Sequence, residues 1–256
     1  MGFRFACQTI TFGAEQNKRF PEVFAAVARC GYTGVETGLR HLQALPGAEI
    51  KRMLDACGLK LAATHLGGNL EDPAQAAGEK TMAQDALDYI EPLGAKFIMY
   101  SGLKFESEGQ LARDIDMISR SAALCKSRAV QLLYHNHAWE FENDWRIMNA
   151  LIERSSADLG FCPDVGWVHK GGADVLEFLD KVKERVGAIH FKDFLTVGEP
   201  KDFCTLGEGV TPFPAIVDWM RANRPDLWVI AEQDKSDLDA EEAVRRNLDY
   251  MRRVAK

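Results

Sequence analysis

Short runs of β-prone residues alternate with longer runs of helical period from one end of the chain to the other, and this alternation limits the fold more than any single motif. The pattern predicts strands over Phe3–Gln8, Gly34–Thr37, Leu59–His65, Ala95–Tyr100, Val130–His135, Asp158–Asp164, Ala188–Lys192 and Leu227–Glu232. It predicts helices over Pro21–Cys30, Ala48–Cys57, Ala74–Leu93, Gly109–Ser127, Asp144–Arg154, Asp174–Arg185, Phe213–Ala222 and Asp239–Val254. Around the sixth helix Phe178, Leu179, Val182 and Val186 recur three and four apart, as on one helix face. Glycine follows the last helical residue at Cys30-Gly31, Cys57-Gly58 and Leu93-Gly94, where it supplies the left-handed turn that ends a helix. Strands separated by helices pair in parallel, because the chain must cross back before the next strand begins. Eight such units in 256 residues match a closed (β/α)8 TIM barrel spanning 1–256, with an open doubly wound sheet as the alternative. No GxGxxG or GxxxxGK[ST] follows an early strand to support a nucleotide site of the open kind.

With 46% hydrophobic and 27% charged residues, a chain of this length buries a sizeable core. A net charge of −7 disfavours nucleic acid and anionic membranes as partners. No apolar run reaches the roughly 18 residues of a spanning helix, and the N-terminus lacks a secretory pattern, so the expectation is a cytoplasmic protein. Six cysteines without a CxxC pair read as buried structural thiols.

Chemistry in such a barrel sits at the C-terminal ends of the strands. Here those ends carry Gln8, Glu36, His65, the pair His135 and His137, Asp164, His190 with Lys192, and Glu232. The two-residue period of a strand sends His135 and His137 to the same side. Asp164, His190 and Glu232 together suit a divalent ion with positions left for water and substrate. Each also has a plainer reading: Asp164 as a loop cap, His190 as a satisfied core imidazole, Glu232 as an ion-pair partner of Lys192.

In their order, "GYTGVETG", "ATHLGG", "YHNHAWEFEN", "CPDVGWVHKGGAD", "IHFKDF", "TLGEGVTPF" and "VIAEQD" resemble the xylose-isomerase-like barrels, which include sugar phosphate isomerase/epimerases and inosose dehydratases. The resemblance implies one divalent metal ion (Mn, Co, Zn or Mg) held by Glu, Asp, His and Glu from four strand ends. Asp164, His190 and Glu232 match three of these ligands. At the fifth strand the usual E-x-H is replaced by H-N-H, so either His135 takes the place of the glutamate or Glu140 reaches back from the loop; carboxylate-rich shells favour Glu140.

The implied chemistry is isomerisation or epimerisation of a keto-sugar or cyclitol through a metal-stabilised enediolate. The same intermediate also allows a lyase or dehydratase outcome by β-elimination. On this reading His135 and His137 transfer protons, Lys192 stabilises an oxyanion, Glu232 joins in catalysis, and Glu36, His65, Trp139 and Glu208 contact substrate. Trp139 would wall the sugar ring and Glu208 would close the mouth, while Lys170-Gly171-Gly172 offers only a weak phosphate cradle. Homo-oligomers are common in the family. Two rivals stand beside this reading: a phosphodiesterase, which needs more metals and a basic face, and a non-catalytic partner subunit whose H-N-H marks a lost site.

Overall fold

A computed structural model describes residues 2–66 and 76–256, with backbone alone for 76–82. Eight barrel strands, β1 (Arg4–Gln8), β2 (Gly34–Gly38), β3 (Lys60–His65), β4 (Phe97–Tyr100), β5 (Gln131–His135), β6 (Gly160–Cys162), β7 (Ala188–Phe191) and β10 (Trp228–Ala231), pair in parallel in the order β6-β5-β4-β3-β2-β1-β10-β7. Single bridges Phe161–Val186 and Asp164–His190 join the ends of that order, so the sheet closes into the expected (β/α)8 barrel. The last joint therefore lies between two of the residues singled out at the strand ends.

Helices α1 (Phe20–Cys30), α3 (Gly47–Ala56), α4 (Ala76–Ile90), α5 (Glu108–Ser127), α6 (Glu142–Arg154), α8 (Val175–Val182), α9 (Phe213–Asn223) and α10 (Ala240–Val254) lie in the expected places. The first two residues expected of α4, Ala74 and Gln75, fall outside the described residues. Asp174 and Asp239, expected as first helical residues, are N-caps: their carboxylates accept the Glu177 and Glu241 N–H groups. Asp144 is not a right-handed helical start either. Asn143, Asp144 and Trp145 adopt φ of 51°, 57° and 61°, a left-handed turn from which the Trp145 ring meets Phe141 and Phe178.

Short elements that periodicity does not reveal are added at the barrel mouth. They are α2 (Leu39–Leu42), α7 (Val165–Lys170), and a hairpin of β8 (Asp193–Phe194) with β9 (Phe203–Cys204). The Asp193 carboxylate accepts the N–H groups of Gly207, Gly209 and Thr211, which fixes the loop after the hairpin. A β-carbon on Gly209 would lie 2.1 Å from the Phe194 carbonyl oxygen, so this loop needs glycine there.

Two apolar cores result. The larger fills the space between sheet and helices; the smaller, inside the barrel, contains Ala6, Met99, Leu133, Cys162, Trp228 and Ile230. Lengthwise, the interior column changes character: β10 runs Trp228, Ile230, Glu232, and β5 runs Leu133, His135, His137. Among the described residues no helix is long and apolar enough to cross a membrane.

Candidate functional site

The H-N-H stretch turns out to have one job per residue. His135 ends β5 pointing into the barrel and is buried. Asn136 points toward β6 instead, where its amide donates to the Asp164 carbonyl at 3.2 Å and accepts the Asp164 N–H at 3.0 Å. That pair of bonds sets the height of Asp164 against His135. His137 emerges at the mouth, its ring stacked 4.2 Å from Trp139 and nearly parallel to it.

Asp164 is held from both sides. Its Oδ1 accepts the Trp167 N–H and caps α7, while Gly166 lets that helix pass against β7, since a β-carbon there would lie 2.2 Å from the Lys192 carbonyl oxygen. Asp164 Oδ2 is fully buried and makes no hydrogen bond, with Lys192 Nζ 3.7 Å and His135 Nε2 3.9 Å away. A buried carboxylate oxygen without a hydrogen bond is costly unless something else uses it.

His190, on β7, sits between two carboxylates. Nε2 lies 2.7 Å from Glu36 and Nδ1 lies 2.7 Å from Glu232. Burial opposes a charge on this imidazole, but Glu36, Cys162 and Glu232 outweigh it and hold His190 well above the usual histidine range. Lys192, one layer higher, places Nζ 2.9 Å from Asp234, 3.4 Å from Glu232 and 3.7 Å from Asp164, over the Trp167 ring. Burial again opposes its charge, and the surrounding carboxylates raise its pKa regardless. Burial pushes the Asp164 carboxyl up to about 6 against the pull of Lys192. Glu232, also desolvated, is held well below the carboxylate range by Lys192 and His190. Burial drives His135 well below the histidine range, with His190 adding to the effect, so its ring nitrogens stay free of a second proton.

One ligand atom from each of His135, Asp164, His190 and Glu232 falls within 4.8 Å of the others. The chemistry of this set fits a divalent ion: two carboxylates and two imidazoles, with a buried Asp164 Oδ2 that makes no hydrogen bond and has His135 Nε2 3.9 Å away. His190 would then have Glu36 on its far nitrogen, the arrangement that orients metal-bound histidines.

Three of the expected ligands thus meet with His135, and Glu140 does not join them. Both Glu140 oxygens are engaged elsewhere, Oε1 by the Tyr134 hydroxyl at 2.8 Å and Oε2 by the His137 N–H at 2.8 Å. Buried and doubly bonded, Glu140 clamps the loop that presents His137, and the residue that meets Asp164, His190 and Glu232 at this corner is His135. Glu36, expected at substrate, is buried against His190.

His65 reaches the same mouth, bonded to Ser101 at 3.0 Å with its ring 5.7 Å from that of His135. Trp139 donates its indole N–H to the Leu103 carbonyl and backs His137. Glu208 lies away from the group, on an outer cavity of about 270 Å³ shared with Arg246 and Arg253. Gln8 caps the turn after β1 through the Ile10 N–H. Lys170 is occupied internally by the Thr196 carbonyl at 2.7 Å and Asp202 at 2.5 Å, which leaves the adjacent Gly171-Gly172 without the cation that a phosphate cradle requires.

Sequence reasoning missed Asn136, Trp167, Asp193 and Asp234. Trp167 has a buried, unpartnered indole N–H beside Lys192. Period-two counting on from Glu232 reaches Asp234, so that residue was legible; the others depend on contacts between strands.

Comparison with known proteins places this geometry. Residues 24–254 match the model of the family described as "Xylose isomerase-like TIM barrel". An inosose dehydratase of Geobacillus kaustophilus is 22% identical over 84% of this chain and 80% of its own length. Among solved structures, a sugar phosphate isomerase/epimerase from Parabacteroides distasonis superposes with a TM-score of 0.84 at 22% identity, covering 100% of this chain and 96% of that one. The IOLI protein, whose crystal structure has a zinc atom, superposes with a TM-score of 0.79 at 14% identity, covering 99% and 98%. A family match across nearly the whole barrel, on a chain whose strand ends converge as described, shows that this protein belongs to the xylose isomerase-like TIM barrel family.

Proposed function

We propose that the protein is a divalent-metal-dependent isomerase or epimerase of a keto-sugar or cyclitol. The observation that carries this reading is the meeting of His135, Asp164, His190 and Glu232 at the barrel mouth with buried ligand atoms that make no hydrogen bond. A metal bound there would act as a Lewis acid on a substrate ketone and stabilise the enediolate left when the α-proton departs. The remaining work belongs to side chains. His137, held by the Glu140 clamp and the Trp139 stack, with Nδ1 free of a hydrogen bond and 3.9 Å from Glu140 Oε1, takes or returns the proton. Neutral His65, whose pKa burial lowers, is the second proton carrier or a hydroxyl contact. Lys192, kept cationic, faces developing negative charge. Trp167 offers a substrate hydroxyl its unused N–H.

A dehydratase outcome, in which a β-hydroxyl leaves as water after the same proton abstraction, is the second reading. It is favoured by the inosose dehydratase relative and by Lys192, a cation placed to protonate a leaving hydroxyl. A non-catalytic role fits poorly with buried atoms of His135, Asp164 and Trp167 at the mouth that make no hydrogen bond, which a degenerate site has no reason to keep.

The test pairs metal content with proton exchange. Wild type is expected to hold about one divalent ion per chain and to exchange the α-proton of an inosose or ketohexose in deuterated water, with Asp164→Asn losing both. Exchange without water loss supports the isomerase; exchange with water loss supports the dehydratase. A wild type that stays metal-free after incubation with Mn²⁺, Co²⁺ and Zn²⁺ overturns both.

A further inference from the structure

The six cysteines are free, as buried or half-buried thiols, and five fit the expectation of small apolar fillers. Cys162 differs. It is fully buried inside the barrel at the end of β6, directly across from His135 on β5, and one turn of the strand pleat below Asp164. Its sulfur and one ring nitrogen each of His135 and His190 lie within 4.8 Å of one another. The same two imidazoles belong to the carboxylate set with Asp164 and Glu232, so two ligand sets share one edge. Beside the sulfur, the buried His135 ring turns Nε2 to within 3.9 Å of Asp164 Oδ2, and its Nδ1 makes no hydrogen bond.

The two sets differ in chemical softness. Carboxylates suit Mn²⁺ and Mg²⁺, whereas a thiolate beside two imidazoles suits Zn²⁺ and Co²⁺. We propose that Cys162 is a conditional metal ligand, recruited by thiophilic divalent ions through the His135–His190 edge and left unused by oxygen-seeking ones. Tetrahedral zinc with bonds of about 2.0–2.3 Å sets its donors roughly 3.3–3.6 Å apart, so side-chain movements on the order of 1 Å close the shell. As the metal–sulfur bond forms, the thiol proton is released to solvent. The imidazole of His135 is what makes this possible, since a carboxylate at that position would leave the sulfur beside a single imidazole. The inference rests on the metal-dependent reading above and adds metal selectivity to it.

The experiment is a titration of metal-free protein with Co²⁺, followed in the near ultraviolet for thiolate-to-cobalt charge transfer and in the visible for cobalt binding itself. Wild type is expected to develop the charge-transfer band up to about one equivalent. Cys162→Ser and Cys162→Ala, each checked for native circular dichroism, are expected to bind cobalt without the band. Zn²⁺ affinity should fall at least about tenfold in both variants while Mn²⁺ affinity holds. Cobalt bound by wild type with no such band overturns the proposal and leaves the proposed function standing. A band that survives in both variants also overturns it. Failure to bind any of the three ions overturns both readings.

Discussion

The mouth and the floor of this barrel are built by the same strands, yet they solve opposite problems. At the floor, large side chains meet glycines: Trp228 fills the space over Gly34, and Leu133 fills the space over Gly160 and Gly187, where added β-carbons would lie 2.5 to 2.8 Å from those side chains. The Arg4 guanidinium covers Trp228 at 4.6 Å. Two residues further along β5 and β10, Leu133 gives way to His135 and Ile230 to Glu232, and packing gives way to charge. There Glu36, Asp164, Glu232 and Asp234 crowd around Lys192 and His190, and several buried atoms make no hydrogen bond. A floor built from apolar packing supplies the stability that a charged mouth gives up, the usual division between barrel ends.

The largest effect should come from breaking the floor. Trp228→Ala removes an almost fully buried indole and is expected to cost about 3–5 kcal/mol in urea unfolding while the folded fraction still binds metal. Lost metal with an unmoved unfolding midpoint would erase the distinction between the ends.

A smaller effect sharpens the comparison at the mouth, where Glu140 is buried beside the site but works like a floor residue. Glu140→Ala strands the Tyr134 hydroxyl and the His137 N–H and should cost about 1–3 kcal/mol with metal content unchanged. Activity should fall through misplacement of His137, seen as reduced kcat at full metal occupancy. Metal-free but fully stable protein would instead return Glu140 to the ligand set.

The smallest effect concerns the hairpin that roofs the mouth. Hydrogen bonds from Lys170 and Thr196 lower the Asp202 carboxyl from 3.8 to about 2. A depressed folded-state value means the contact contributes fully above about 4 and is lost as the pH falls toward 2. Hydrogen exchange at the Leu195 N–H, which donates to the Asp202 carbonyl, should therefore gain little protection above pH 4 and lose it below. Asp202→Asn should flatten that dependence. Equal pH dependence in both proteins would show that the roof is held by the β8–β9 backbone instead.

Much of this architecture was readable in advance where the signal is local. Alternating periods gave eight strands and eight helices because a buried parallel strand and an amphipathic helix each impose a repeat on nearby residues. Strand-end position singled out Asp164, His190 and Glu232 for the same reason, and the plain readings of two of them hold at once: Asp164 is also a cap, and Glu232 also pairs with Lys192. Glu140 misled because sequence shows that a carboxylate is near, not which donors reach it first. Only the folded chain places the Tyr134 hydroxyl and the His137 N–H on its two oxygens.

The sequence by itself determined the alternation, the barrel it closes into, and which residue types reach the mouth, since each follows from side-chain period and polarity along a few neighbouring residues. The tertiary structure alone decided which of those residues share an atom's reach. Glu36 meets His190 across 154 positions of chain, and Cys162 meets both imidazoles only because β5, β6 and β7 lie side by side at the barrel's last joint. Such pairings are set by strand register and barrel closure, which depend on the packing of the whole core and leave no local mark on the residues they bring together.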